Sequence, residues 1–461
     1  MKRVAASDSD AEPALGKGRF LKAFSLGILF FLYAFAYLDR QFLNLLIDPI
    51  REGLHLSDLQ ISILTGFAFT VFYGVSGLPM GSVVDRYSRK GVIFGGLIVW
   101  SLCSCLCGLA RRFSDMLFAR FGVGAGESVL LPAAYSLLAD LYPKERMGAV
   151  LGIFTAGSSI GSGASLIVGG LLFSWASANG VVNVPIIGAL HPWQQVLLLS
   201  GLPGLATAWM VFLIPRTSHE IERSRKANAK GFADAWAFMR KNKRFFGAHI
   251  GGFTLMNIAA VGYLVWSPTF LHRHFGLSLK DIGISFGIFS TVFGILGSIS
   301  SGALADLLYK RGALDAHMRV YTWGSLVLAA CGIAAALAPT YLIFFVAVTP
   351  AMMIKTFAGN AAGALQIVAP PELRGKISAI YLAIFTIVGG GLGPLVIATL
   401  TDHVFHDPAK VGHSMALSYG VLLPLASVVL WLGLPAMRSM QTADREAEHR
   451  AAGSRLEALT L

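Results

Sequence analysis

Five ionisable residues sit inside apolar runs long enough to cross a bilayer: Asp39 and Arg40 in the first run, Arg120 and Glu127 in the fourth, and Lys355 in the tenth. A charge at mid-helix in hydrocarbon costs about 2.5–3.5 kcal/mol for Asp, Lys or Arg even on lenient insertion scales, so each needs a reason to be there. Glu127 follows Arg120 by two helical turns, which puts both on one face with Glu127 about 10 Å deeper at ~1.5 Å rise per residue. Adjacent helical residues diverge by about 100°, so Asp39 and Arg40 cannot address one partner. Asp39 is expected to face Arg120, with Arg40 reaching another group or a cavity. A buried carboxylate beside a movable arginine can be pushed either way, keeping its proton when alone in low dielectric and releasing it when paired. That is the physics of coupling a proton to a conformational change; the alternative is a static bridge between two helices. Lys355, facing a cavity, would complement a phosphate or carboxylate, and otherwise snorkels along its own helix.

These residues need helices to position them, and composition dictates which kind. The 461-residue chain is 55% hydrophobic and only 13% charged, with a mean hydropathy of +0.65, too apolar for a water-soluble surface. Stretches of about 20 apolar residues fall near 20–45, 58–82, 90–110, 114–140, 147–174 and 194–215, and again near 245–271, 280–305, 319–338, 340–368, 375–402 and 414–436. The expectation is an all-α membrane protein of twelve transmembrane helices in two six-helix, pseudo-symmetric bundles. Its parts are a polar tail without fixed structure (1–19), a first bundle (20–215), a basic linker (216–244), a second bundle (245–437) and a charged tail (438–461). The first apolar run is too long for a signal peptide and is taken as the first span.

A net charge of +12 would suggest nucleic acid in a soluble protein, but its placement points to the bilayer. Of the 37 Lys and Arg residues, 28 fall in one set of loops and tails, six in the other and three inside spans. That asymmetry puts both termini in the cytoplasm, with a cell (inner) membrane as the expected site. The linker holds nine Lys or Arg residues and reads as an anchor along the headgroups. Cys103, Cys105, Cys107 and Cys331 all lie in apolar runs. Spacing by two on a helix turns side chains apart, so they are read as small core residues and no metal site is expected. No cofactor is expected either.

The halves carry matching landmarks. Gly81-Ser-Val-Val-Asp85-Arg86-Tyr-Ser-Arg89-Lys90 returns, worn, as Gly302-Ala-Leu-Ala-Asp306-Leu-Leu-Tyr-Lys310-Arg311, an offset of 221 residues. Pro143-Lys-Glu145-Arg146-Met-Gly148 returns as Pro370-Pro-Glu372-Leu-Arg374-Gly375, an offset of 227. Two landmarks at nearly one offset mark a repeat, and parallel six-helix repeats with a midplane site suit a rocking-bundle transporter. The first pair reads as a cytoplasmic latch of Gly81, Asp85, Arg86, Arg89, Asp306 and Arg311. Its Gly lets helices approach, its Asp sits near a helix N-terminus and its basic pair faces anionic headgroups.

Aromatic residues surround the charged positions in sequence. Tyr37, Phe42, Tyr73, Tyr263, Trp266 and Phe357 are candidates to line a pocket for an amphiphile, with Phe67, Phe69, Phe72, Phe253 and Tyr381 in the wider set; packing is the commoner role for each. Small residues crowd the fifth and eleventh spans, for close packing or a bending gate. Gly122-Val-Gly124-Ala-Gly126-Glu127 matches neither phosphate-loop pattern. Gly283-Ile-Ser285-Phe-Gly287 fits the nucleophile-elbow spacing but lies in a membrane helix without a His partner, and His272 with His274 is a loop pair. No enzyme is expected.

The Gly81 motif, its copy and the six-plus-six repeat resemble the major facilitator superfamily over nearly the whole chain. Within it, Tyr37-Leu-Asp39-Arg40-Gln41 and Arg120-x6-Glu127 resemble the Spinster family of lysolipid and sphingolipid transporters. The resemblance implies protonation-linked Asp39 and Glu127, with Arg40 and Arg120 as partners. It also implies an amphiphilic, anionic, lipid-like substrate moved by rocker-switch alternating access, in a monomer whose other partners are protons and the bilayer. In the fifth span Gly157-x3-Gly161 is followed by Ser162 where the antiporter signature has proline, which weighs against a drug antiporter. The alternatives are a proton-driven exporter of drugs or small organic solutes, and a receptor or scaffold without flux.

Overall fold

The computed structural model describes residues 11–460 apart from 144–145, 186, 216–231, 355–356 and 371, and describes no side chain at 11–19, 78, 81–82, 85–86, 148–149, 298 or 443–460. Twelve helices among these are long and apolar enough to cross a membrane: Phe20–Leu45, Asp58–Gly77, Arg89–Leu109, Phe113–Leu141, Val150–Asn179 and Pro192–Leu213, then Lys243–Phe275, Leu279–Lys310, Ala316–Ala336, Tyr341–Val368, Arg374–Phe405 and Pro408–Thr442. They are the first to twelfth spans below. The first helix begins at Ala11, inside the tail expected to lack structure. Pro13 sits in its opening turn, where a missing N–H costs nothing, and Ala and Leu follow. The last helix likewise continues to Thr460 through an Ala- and Glu-rich stretch.

Helix ends follow local chemistry. Ser57 and Gln60 form a reciprocal capping box, Ser88 accepts the Gly91 N–H, and Pro192 occupies the opening turn of the sixth span. A small antiparallel hairpin, β1 (Val182–Val184) with β2 (Gly188–Leu190), joins the fifth and sixth spans.

The chain divides into two compact units. The first gathers residues within 1–56, 71–227 and 279–291. Its core stacks Leu29, Leu32, Ile93, Leu97, Trp100, Leu137 and Phe154. Small residues let its helices touch: a Cβ on Gly126 would lie 2.6 Å from the Trp100 nitrogen, so the third and fourth spans meet backbone to backbone. Gly283 and Gly287 pack on Leu166 and Gly163 of the fifth span, and Ser285 Oγ donates to the Asp281 carbonyl at 2.6 Å. The elbow-like spacing is therefore helix packing.

The second unit gathers residues within 57–70, 228–278 and 292–461. Asp58 takes both guanidinium nitrogens of Arg273, at 2.7 and 2.8 Å, and Asp402 accepts the Leu59 N–H at 2.8 Å. Pro394 lacks the N–H that would bond Gly390, and the eleventh span loosens into a π-turn at Phe385–Gly390. The Pro394 carbonyl accepts from Ser62 Oγ at 3.0 Å and Trp266 Nε1 at 3.1 Å.

Candidate functional site

The first unit brings Asp39, Arg40, Arg120 and Glu127 into its interior. Asp39, Arg120 and Glu127 are 3–4% exposed, and the Arg40 side chain, at 22%, is the one that reaches open space. The angular divergence of residues 39 and 40 sends them to different helices: Arg40 reaches another group, as expected, while the hydrogen bonds of Asp39 come from serines where Arg120 was expected to face it. Arg40 Nη2 donates to Glu127 Oε1 as a close ion pair, and its guanidinium lies over the rings of Tyr37, at 4.6 Å, and Tyr73, at 5.3 Å. Asp39 Oδ1 accepts from Ser104 Oγ of the third span at 2.5 Å and from Ser200 Oγ of the sixth at 2.9 Å. Arg120, two turns before Glu127 on the fourth span, is buried in the same unit.

Sequence reasoning missed Ser104 and Ser200. The signal was indirect: a carboxylate buried in a span needs donors, and a serine in a neighbouring apolar run supplies one. Glu127 is positioned by a break in its own helix. Pro132 cannot donate to the Ser128 carbonyl, and the fourth span divides into Phe113–Glu127 and Leu130–Leu141, so Glu127 closes the first segment.

Of the aromatic candidates, Tyr37 and Tyr73 join this cluster. Phe42 is buried against Gly169, whose Cβ would lie 2.7 Å from its ring. Tyr263 and Trp266 are buried in the second unit and give their polar hydrogens to the carbonyls of Gly332, at 3.0 Å, and Pro394. Phe357 stacks on Phe253 and meets Tyr321 and Phe385. With Asn257, Val261 and Leu264 it lines a cavity of about 200 Å³. Lys355 lies outside the described residues.

The latch differs from the expectation where it is described. Arg89 and Lys90 do not face headgroups: both are buried, Arg89 pairing with Asp140 and Lys90 donating to the Ile214 carbonyl at the end of the sixth span. Unpaired helix-end carbonyls and a buried carboxylate attract these cations more strongly than water-screened phosphates do. The side chains of Asp85 and Arg86, and the packing at Gly81, lie outside the described residues. In the copy, a Cβ at Gly302 would meet nothing within 4 Å among the described residues, so no described helix packs closely there. Asp306 is exposed, 3.8 Å from His317 Nε2, and Arg311 is exposed. An ion cluster of this part of the second unit centres instead on the buried Asp315, held by the more exposed Arg319, at 2.7 Å, and Arg438, at 2.5 Å.

As chemistry, the cluster offers a carboxylate whose arginine partner also touches open space, next to a carboxylate held by hydroxyls. Protonating Glu127 would release Arg40 to an incoming anion, and the two tyrosine faces would hold the guanidinium meanwhile.

Comparison with known proteins gives a consistent pattern. The family model for the Major Facilitator Superfamily matches residues 29–394. An MFS-type efflux pump of Mycolicibacterium smegmatis is 28% identical over 431 residues, covering 93% of this chain and 96% of that protein. A probable L-galactonate transporter of Escherichia coli is 29% identical over 301 residues, 62% of each chain. The solved structure of a bacterial homologue of the human lysosomal transporter Spinster, inward-facing and unoccupied, superposes with a TM-score of 0.71 at 22% identity, over 92% of this chain and 97% of that one. Spinster proteins are also among the relatives matched by sequence.

Proposed function

We propose, for a chain that belongs to the major facilitator superfamily and is a multi-pass membrane transporter, that it couples protons to the movement of an amphiphilic, anionic, lipid-like substrate of the lysophospholipid or sphingolipid type. The observation that carries this reading is the buried Arg40–Glu127 pair, open on its arginine side and backed by Tyr37 and Tyr73. A proton on Glu127 removes the counter-charge from Arg40, and a phosphate or carboxylate headgroup then takes its place; loss of that proton restores the pair and expels the headgroup. Asp39 and Arg120 complete the coupling set, the serines holding Asp39 in either protonation state. Alternating access would carry this site between the membrane faces.

The same reading has both termini in the cytoplasm of a cell-membrane monomer, with 216–244 as a basic anchor between six-helix halves, Lys355 meeting the headgroup, and Gly81, Asp85, Arg86 and Arg89 with Asp306 and Arg311 as the latch.

The test is flux of a labelled lysophospholipid in reconstituted vesicles with and without a pH gradient. Glu127→Gln should abolish gradient-driven flux and retain part of substrate exchange; equal loss of both would remove the coupling role. A second reading, export of a drug or small organic solute, is favoured by the near full-length similarity to an efflux pump. The same vesicles loaded with a lipophilic dye, or with an aldonic acid in view of the galactonate relative, separate the two.

A further inference from the structure

The last basic residues of the anchor segment and the start of the seventh span border a built feature of the second unit that the charged cluster of the first does not use. Arg240, Lys241, Lys243 and Arg244 are exposed along the entry to the seventh span. Below them two adjoining cavities open between the seventh and twelfth spans. The smaller, about 240 Å³, is bounded by Lys241, Lys243, Phe245 and Met440. The larger, about 740 Å³, is bounded by Ala248, Val429, Leu432 and Pro435. Arg244, Ala436 and Ser439 border both.

Helical spacing makes this one groove. Residues 244 and 248 follow one face of the seventh span, with Lys241 just before it at the end of the Phe232–Lys241 helix, and 429, 432, 436 and 439 follow one face of the twelfth. The groove is wide where side chains are missing: a Cβ at Gly247 would meet nothing within 4 Å, and one at Gly251 would touch only Val429, at 3.6 Å. Leu432 and its neighbour Trp431 are 62% and 57% exposed, so the groove wall faces the bilayer.

Its charge is one-sided. Arg438, at the same end of the twelfth span, is engaged by Asp315, and Asp234 is the acid of the adjoining Phe232–Lys241 helix. No carboxylate among the described residues lies within ion-pair distance of Lys241, Lys243 or Arg244.

The geometry points to a binding site for an anionic phospholipid of the surrounding bilayer, its phosphate against Lys241, Lys243 and Arg244 and an acyl chain along Ala248, Val429 and Leu432. Basic pockets between spans at a membrane interface recognise anionic headgroups, and the apolar floor gives the chain a place that a free phosphate has no use for. A zwitterionic headgroup would turn its own cation toward the basic rim and gain less.

The site is independent of the substrate question, and its test does not involve transport. Purified full-length protein in detergent is titrated with dioleoylphosphatidylglycerol or dioleoylphosphatidylcholine, and bound lipid is counted by native mass spectrometry. The glycerol lipid should be retained and the choline lipid lost. The double variant Lys243→Gln, Arg244→Gln should bind the glycerol lipid on the order of thirty-fold more weakly, from about 1 kcal/mol per basic residue near the anionic surface. Leu432→Trp, at a position 62% exposed toward the bilayer, should weaken it by filling the groove while leaving the rim intact. Equal retention of both lipids, unchanged binding in the double variant, or full displacement by millimolar glycerol 3-phosphate would overturn the proposal.

Discussion

Arg40 makes an ion pair and two cation–π contacts at once, while its neighbour Asp39, turned about 100° away, accepts from Ser104 and Ser200. The two serines give Asp39 hydrogen bonds that survive changes in its surroundings, because a hydroxyl can donate to a carboxylate or accept from a carboxylic acid. Replacing Ser104 and Ser200 together by Ala should cost about 1–3 kcal/mol for each donor removed from a buried acid. The readout is the midpoint of thermal unfolding in detergent, and a midpoint equal to wild type would mean the serines do not hold Asp39. The charged residues themselves were legible in the sequence, since charge in an apolar run is conspicuous. Their pairing was not, because the 100° step between residues 39 and 40 leaves open which neighbour each direction meets.

Breaks and close approaches in the helices set the geometry of the site. Pro132 ends the segment that Glu127 closes, and Gly126, one residue earlier, lets the third and fourth spans meet at the Trp100 backbone. The carboxylate is thus held at a fixed height by a packing contact next to it. Gly126→Val would push a branched side chain into that backbone, and overpacking of this kind costs about 1–3 kcal/mol, more where backbone must move. Size-exclusion profile and unfolding temperature should both deteriorate, whereas Gly95→Val, with nothing within 4 Å of its Cβ, should leave both close to wild type. The alternate glycines of the fourth span announced close packing in the sequence. The π-turns at Ile63–Phe67 in the second span and Phe385–Gly390 in the eleventh did not, since nothing in those residues themselves separates a π-turn from an α-turn.

Across the whole molecule, the distribution of Lys and Arg predicts an orientation that can be measured directly. A cysteine placed by Asn183→Cys in the β1–β2 hairpin should react with an impermeant maleimide added to intact cells. One placed by Ser439→Cys at the far end of the twelfth span should react only after permeabilisation. The reverse pattern would invert the assignment of faces. The native cysteines lie within spans and set a low background.

The twelve spans and the family were determined by the sequence alone, because the cost of exposing polar backbone to lipid forces each apolar stretch of some 20 residues into a helix regardless of its neighbours. The same cost singled out Asp39, Arg40, Arg120 and Glu127. Tertiary structure decided what each of them touches: Glu127 for Arg40, Ser104 and Ser200 for Asp39, and Asp140 and a helix-end carbonyl for a basic pair that sequence reasoning had sent to the headgroups. Those choices depend on which faces of separate helices meet. Such contacts join residues 87, 65 and 161 positions apart, far beyond the few turns over which helical periodicity carries information.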